Sequence, residues 1–445
     1  MVRDGIASDQ PPRRSPATED ETVAHASDEH DSVAVKVLER VMERENLRAA
    51  LRQVRSNKGG PGIDGLSVEQ LPDYLRLHWL EIRARLLNGT YRPSPVRRVL
   101  IPKPGGGARV LGIPTVLDRF IQQALLQVLQ RQWDQTFSHS SFGFRPKRSA
   151  HQAVVGAQGY LRAGYRWVVD LDLEKFFDTV NHDVLMHRVS RRVEDDRVRT
   201  LIRRFLKSGV SIAGTRHPTT RGTPQGGPLS PLLANVLLDE LDKELEHRGH
   251  RFVRYADDCN IYVGSRRAGE RIMASVRGFL ERRLKLKVNE QKSAVDRPWR
   301  RRILGFTFTR GHNYRRAVSE KAMDALKAKV RHLTQRTRGQ TLRQIIAELR
   351  ITLLGWKAYF GFAEVNSPLT EIDKWIRRKL RCYQWKQWGR RGYRALRELG
   401  VSRELAWNTA KSAHGPWRLS RSPALAYALT QAYFTRLGLP TLARS

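Results

Sequence analysis

Phe252-Val253-Arg254-Tyr255-Ala256-Asp257-Asp258, continuing to Ile261-Tyr262-Val263, sets two adjacent carboxylates between two apolar, β-prone runs. The pattern predicts an antiparallel hairpin with its acidic pair at the turn. A buried carboxylate without a partner is among the most expensive groups in a fold, so this placement asks for a cation. A divalent metal carrying phosphate would supply it. A third acid stands upstream in a similar setting, Trp167-Val168-Val169-Asp170-Leu171-Asp172, followed by Leu173-Glu174-Lys175-Phe176-Phe177-Asp178. Acids from two strands that converge on a metal pair point to phosphoryl transfer by the two-metal route. For the pair alone an ordinary Asp-Asp turn is the better reading. The second acidic strand and the charge of the chain reverse that preference.

The chain has 445 residues, enough for two to four domains, and 81 Lys or Arg stand against 44 Asp or Glu, a formal charge of +37. Such a surplus disfavours a compact fold unless a polyanion compensates it, and nucleic acid is the commonest such partner. A membrane-surface protein is the rival reading, but no run of about 18 apolar residues exists to span a bilayer. The N-terminus is polar and acidic and does not read as a signal peptide. Cys259 and Cys382 are too few for a disulfide framework or a Cys-built zinc site. The expected compartment is the cytoplasm.

Residues 1–32 hold eight acids, three Arg and almost no large apolar side chain, which predicts a disordered tail. Helical periodicity begins near Val33. The glycine-rich stretch Asn57-Lys58-Gly59-Gly60-Pro61-Gly62 reads as an irregular loop, and 96–111 as a hairpin bearing Lys103 and Arg109 on either side of its glycine tip. Two cations so placed suit a triphosphate. Residues 118–133 read as an amphipathic helix. In Ser141-Phe142-Gly143-Phe144-Arg145-Pro146-Lys147-Arg148, aromatics alternate with cations, a mixture that stacks on bases and holds phosphates, although both Phe could equally be core. Arg221-Gly222-Thr223-Pro224-Gln225-Gly226-Gly227-Pro228 reads as a tight loop opening onto a helix at 232–245, and 270–284 as a further helix. From 320 onward the chain is helical and basic, with 25 Lys or Arg against eight acids and six of the ten Trp. There Leu369, Ile372, Ile376, Leu380 and Tyr383 form a core stripe, while Lys374, Arg377, Arg378, Lys379 and Arg381 make a cationic face that reads as tracking a phosphate backbone.

In their order and spacing, Asp172-Leu173-Glu174-Lys175-Phe176-Phe177-Asp178, Gln225-Gly226-Gly227-Pro228-Leu229-Ser230-Pro231 and Tyr255-Ala256-Asp257-Asp258 resemble the reverse transcriptases encoded by bacterial group II introns, which also act as the intron's maturase. Residues 57–65 resemble that family's N-terminal extension, and Ser367-Pro368-Leu369-Thr370-Glu371-Ile372-Asp373-Lys374-Trp375 its maturase thumb. The resemblance implies an α+β fold: a right-hand polymerase whose fingers and palm carry an antiparallel palm sheet, then a helical maturase thumb and a small helical C-terminal domain. The implied division is a tail over 1–32, an N-terminal extension over 33–95, fingers-palm over 96–310, a thumb over 311–390 and a basic DNA- or RNA-binding region over 391–445. That last region offers His414 but no Cys pair, so no endonuclease is expected.

The same resemblance implies the site. Asp172, Asp257 and Asp258 would be catalytic and, with Leu173, would hold two Mg²⁺ ions, Mn²⁺ being a possible substitute. Asp170 shares the face of Asp172 if the strand continues, but the spacing to Phe177 and Asp178 matches the family for Asp172. Lys103, Arg109, Phe177, Gln225, Gly226 and Lys292 would bind the nucleotide, Phe177 excluding a 2′-hydroxyl and Lys292 donating a proton to pyrophosphate. Leu304, Gly305 and Phe306 would grip the primer end. Lys58, Arg145, Lys374, Arg377, Arg378, Lys379 and Arg381 would bind RNA. Implied partners are group II intron RNA, an RNA template, a DNA primer or target and dNTPs, in a bacterial ribonucleoprotein at the nucleoid. A domesticated defence- or CRISPR-associated reverse transcriptase, and a non-catalytic RNA-binding splicing cofactor, are the alternatives. The thumb motif argues against the first and the intact acids against the second.

Overall fold

The computed structural model describes residues 37–102, 107–212, 214–311 and 313–444. The tail expected over 1–32 and the side chain of Lys103 lie outside them. The fold is α+β, with the strands β1 (Val96–Pro102), β2 (Ala108–Ile113), β3 (Trp167–Leu171), β4 (Val210–Ile212), β5 (Thr215–His217), β6 (Arg251–Tyr255), β7 (Asp258–Val263), β8 (Ala294–Asp296), β9 (Phe306–Phe308) and β10 (Arg316–Val318). The chain divides into two compact units, one built from residues up to 132 with 186–220 and 224–229, the other from 133–185, 221–223 and 230–445.

The first unit contains a sheet in the order β2-β1-β4-β5, in which β1 pairs antiparallel with β2 and parallel with β4. Arg109 is exposed on β2, opposite Ile101. Helix Val116–Trp133 buries Phe120, Ile121, Leu125 and Leu129 of the stripe that its periodicity predicts, with Ala124 beside them, while Leu126 of that stripe is half-buried. Its first turn is tied down by Asp118, whose carboxylate accepts from the Tyr91 hydroxyl at 2.8 Å, the Thr115 hydroxyl at 2.8 Å and the Ser94 amide at 3.1 Å.

The second unit holds an antiparallel sheet in the order β6-β7-β3-β8. Alternation along β3 sends Val168 to one face and Val169 to the other. Val168 packs with Val253, Tyr262 and helix Ala150–Arg162 (Ala153, Val154, Ala157, Leu161). On the opposite face Val169 lies with Val263 and Val295 against Gly269 of helix Arg266–Phe279. The helix expected over 270–284 therefore starts earlier and closes in a π-turn, Leu280–Leu284. Helix Ser230–His247 extends the expected 232–245 at both ends.

Beyond β10, helices Glu320–Leu333, Leu342–Phe360 and Ser367–Trp388 bury one continuous core. Leu369, Ile372, Ile376, Leu380 and Tyr383 supply its central stripe. Leu396, Ala406, Leu425, Phe434 and Leu442 of the last segment enter the same core, and Asp373 accepts from the amides of Leu442 and Ala443. No helix among the described residues is long and apolar enough to cross a membrane.

Candidate active site

β6 and β7 pair as far as Tyr255↔Asp258, which leaves Ala256 and Asp257 as the turn. Ala256 has φ 57°, a left-handed backbone that a residue with a Cβ resists. Several contacts hold it there. The Arg254 guanidinium donates to the Ala256 carbonyl at 2.9 Å, to both oxygens of Asp242 at 2.7 and 2.5 Å, and to the Asn235 side-chain oxygen at 3.0 Å. Arg254 and Asp242 are fully buried. Asn235 in turn donates to the Gly143 carbonyl at 2.9 Å. A Cβ on Gly143 would lie 2.2 Å from the Ala256 nitrogen, so only glycine fits beneath the turn.

This changes the reading of the 141–148 stretch. Its backbone runs beside β6, with the Phe142 amide bonded to the Arg254 carbonyl at 2.9 Å. Arg145, expected to bind RNA, has a side chain only 4% exposed and spends its donors on the Asp134 carboxylate and the carbonyls of Ser138 and Ser141. It closes the loop and is not available to RNA.

On β3, Asp170 accepts from Asn260 at 2.8 Å and from two nitrogens of Arg301 at 2.8 and 2.6 Å. Burial pushes its carboxyl pKa up against the pull of Arg301. Asp172 lies just past the strand; its amide is bonded to the Ser293 hydroxyl and its carbonyl to the Asn289 amide, so the 289–293 segment orients it. Its side chain meets the Lys292 ammonium at 3.3 Å, and that lysine is 64% exposed. Asp170, Asp172, Asp258 and Lys292 line one cavity of about 690 Å³, together with Tyr255, Leu304 and Gly305. Burial, and then the charges of Asp257, Asp170 and Asp172, push the Asp258 carboxyl up to about 6.

The hard oxygen donors of Asp170, Asp172 and Asp258 suit divalent cations of the magnesium kind, and Lys292, Arg300, Arg301, Arg302 and Lys321 balance their charge in the same lining. Among the described residues no three His, Cys, Asp or Glu side chains stand in a coordinating group. Asp172 faces Lys292 and Asp170 faces Arg301 instead. The Leu173 side chain is buried, and its backbone bridges to Val288. Phe177, half-buried on helix Phe176–Thr179, meets Phe176 edge-on. Gln225 and Gly226 lie in the first unit on the loop before helix Ser230–His247, and Lys58 is exposed in a left-handed turn after helix Arg44–Ser56.

On helix Ser367–Trp388 the cations divide. Arg378 stacks 3.7 Å over Trp417 and donates to the Ser420 hydroxyl, and Arg381 donates to the Leu429 carbonyl at 2.9 Å. Lys379 lies 4.7 Å from the Trp417 ring centroid, and Lys374 pairs with Glu371 at the surface. Sequence reasoning missed Asn235, Asp242, Arg301 and Ser293. Only the first two left a trace, as polar residues among the buried positions of their helix.

Residues 101–308 match the family model "Reverse transcriptase (RNA-dependent DNA polymerase)", and 323–400 match "Group II intron, maturase-specific domain". Protein YkfC of Escherichia coli K12 is 35% identical over 300 residues, covering 58% of this chain and 79% of that protein. The group II intron-encoded protein LtrA of Lactococcus lactis subsp. cremoris is 37% identical over 221 residues, 48% of this chain but only 35% of LtrA. Among solved structures, a Cas6-RT-Cas1–Cas2 complex is 26% identical with a TM-score of 0.35, covering 55% of this chain and 42% of that one. With both domain models matched in series and a relative covered over most of its length, the chain belongs to the group II intron reverse transcriptase/maturase family.

Proposed function

We propose that this protein copies RNA into DNA at the acids of β3 and β7, and that its helical C-terminal region binds group II intron RNA to promote splicing and mobility. One observation carries the catalytic reading: Asp172, just past β3, and Asp258, on the paired β7, line one cavity, and the Asp258 carboxyl is pushed up to about 6 by burial and its acidic neighbours. Asp172, Asp257 and Asp258, with the Leu173 carbonyl, are the residues that would hold two Mg²⁺ ions, or Mn²⁺ in their place. Those ions would acidify a primer 3′-hydroxyl and stabilise the leaving pyrophosphate.

The chain's own groups prepare that chemistry. Arg254 and Gly143 fix the turn that carries Asp257, and Arg301 occupies Asp170 so that Asp172 remains the exchangeable acid. Lys292 offsets the charge on Asp172 and is exposed enough to meet a phosphate and give it a proton. Lys103, Arg109, Gln225 and Gly226 are assigned to the incoming dNTP, and Phe177 to the rejection of a 2′-hydroxyl. Leu304, Gly305 and Phe306 are assigned to the primer end. Lys58, Lys374, Arg377 and Lys379 remain the RNA-facing cations.

The test is primer extension on an RNA template with Mg²⁺, comparing the protein with Asp257→Asn. The variant should lose DNA synthesis while retaining intron RNA binding in a filter assay. DNA synthesis by the variant would overturn the site.

A further inference from the structure

Leu304 and Gly305 stand at φ 51° and 84°, two consecutive left-handed residues just before β9. For leucine that backbone is strained and persists only where its surroundings hold it. The holding groups come from the helical region. The Tyr359 hydroxyl donates to the Leu304 carbonyl at 2.9 Å, and the Ser319 amide to the Gly305 carbonyl at 2.9 Å. A Cβ on Gly305 would lie 3.0 Å from the Phe360 ring, and at this φ any side chain adds strain.

Tyr359 is itself well anchored. Its ring centroid lies 5.6 Å from that of Phe306 and 5.1 Å from that of His151, and its carbonyl accepts from His151 Nε2 at 2.8 Å. Burial and the neighbouring Tyr255 push its phenol above the usual value, so the hydroxyl remains a donor at neutral pH. Tyr359 and Phe360 fall in the stretch matched by the maturase model, whereas Leu304 and Gly305 fall in the stretch matched by the reverse transcriptase model. The turn they hold lines the same cavity as Asp170, Asp172 and Asp258.

We propose that Tyr359 is a positioning residue for DNA synthesis: its hydroxyl holds the Leu304–Gly305 turn where a primer's 3′ end rests, so that the maturase-type helix sets the distance from that end to the acids. The inference deepens the primer-grip reading and rests on it. A loosened turn misplaces the 3′-hydroxyl without touching the nucleotide, so the insertion rate falls while the KM for dNTP stays constant.

The experiment is single-nucleotide insertion by the full chain on an RNA template–DNA primer duplex, with Tyr359→Phe and Gly305→Ala, and with intron RNA binding and thermal unfolding measured in parallel. Tyr359→Phe keeps the ring among Phe306, His151 and Phe360 and removes one hydrogen bond. Its insertion rate should fall about five-fold, with KM, RNA binding and Tm unchanged. Gly305→Ala should lower the rate further. A slowed Gly305→Ala beside an unaffected Tyr359→Phe would overturn the Tyr359 role and leave the grip reading standing. Normal rates for both variants would overturn the grip reading itself. A fall in Tm and RNA binding that accompanies the slower rate of Tyr359→Phe would make the contact merely structural.

Discussion

Asn235 and Asp242 lie two helical turns apart on one face of helix Ser230–His247, and both accept from the same guanidinium, that of Arg254. Arg254 in turn holds the Ala256 carbonyl, so an interior ion pair sets the backbone that presents Asp257. Arg254→Met would strand Asp242 as a buried, unpaired charge, at a cost of about 3–5 kcal/mol. The double variant Arg254→Met with Asp242→Leu should recover most of that stability in urea unfolding, since two apolar groups replace a desolvated pair. It should not recover DNA synthesis, because the Ala256 carbonyl still lacks its donor. Recovery of both would reduce the pair to a packing element.

Asp118 makes the first unit sensitive to pH. Burial pushes its carboxyl up to about 6, against hydrogen bonds from Thr115, Tyr91 and Ser94. A folded pKa above the unfolded one means that folding favours the protonated form. The stabilisation is fully present below about pH 4 and is lost as pH rises through about 6. Asp118→Asn cannot titrate. The stability difference, wild type minus variant, should therefore be about 2 kcal/mol larger at pH 4.5 than at pH 7.5 in urea titrations. A constant difference would show that the hydrogen bonds fully offset the burial.

Phe177 is assigned to sugar discrimination, and its ring is steadied edge-on by Phe176 at 5.1 Å between centroids. Phe177→Val should raise ribonucleotide incorporation by at least ten-fold relative to dNTP while leaving dNTP insertion within a few-fold, because only the clash with the 2′-hydroxyl is relieved. Unchanged selectivity in a competition assay would remove the gate.

The acidic hairpin was legible because the apolar, β-prone runs that became β6 and β7 are a local pattern, and the turn needs only neighbouring residues. The choice between Asp170 and Asp172 was not legible from periodicity, since a strand continued past Leu171 would put both on one face, whereas β3 ends at Leu171. Arg301, 131 residues downstream of Asp170, occupies that carboxylate, and a pairing so distant in the chain leaves no local signature. Arg145 misled for the opposite reason. A cation between aromatics looks the same whether it meets phosphate or caps a loop from inside, and only its burial against Asp134 distinguishes the two.

The cations of helix Ser367–Trp388 separate by the same criterion. Arg378 and Arg381 are bound to Trp417, Ser420 and Leu429, so Arg378→Met and Arg381→Met should each cost about 1–3 kcal/mol of stability through unsatisfied partners. Their effect on the salt dependence of RNA binding should be small, because both guanidiniums are held against the chain's own Trp417, Ser420 and Leu429. Lys374 is exposed, its pair with Glu371 is a surface contact worth little, and Arg377 stands on the same helix only half-buried. The double variant Lys374→Ala with Arg377→Ala should therefore leave Tm unchanged and weaken intron RNA binding. The slope of log K against log salt should flatten by roughly one to two, as counterion release from those phosphates is lost. If the slope holds while affinity is unchanged, this face does not meet RNA, and the contact surface must be sought on the remaining cations, Lys58 and Lys379 first among them.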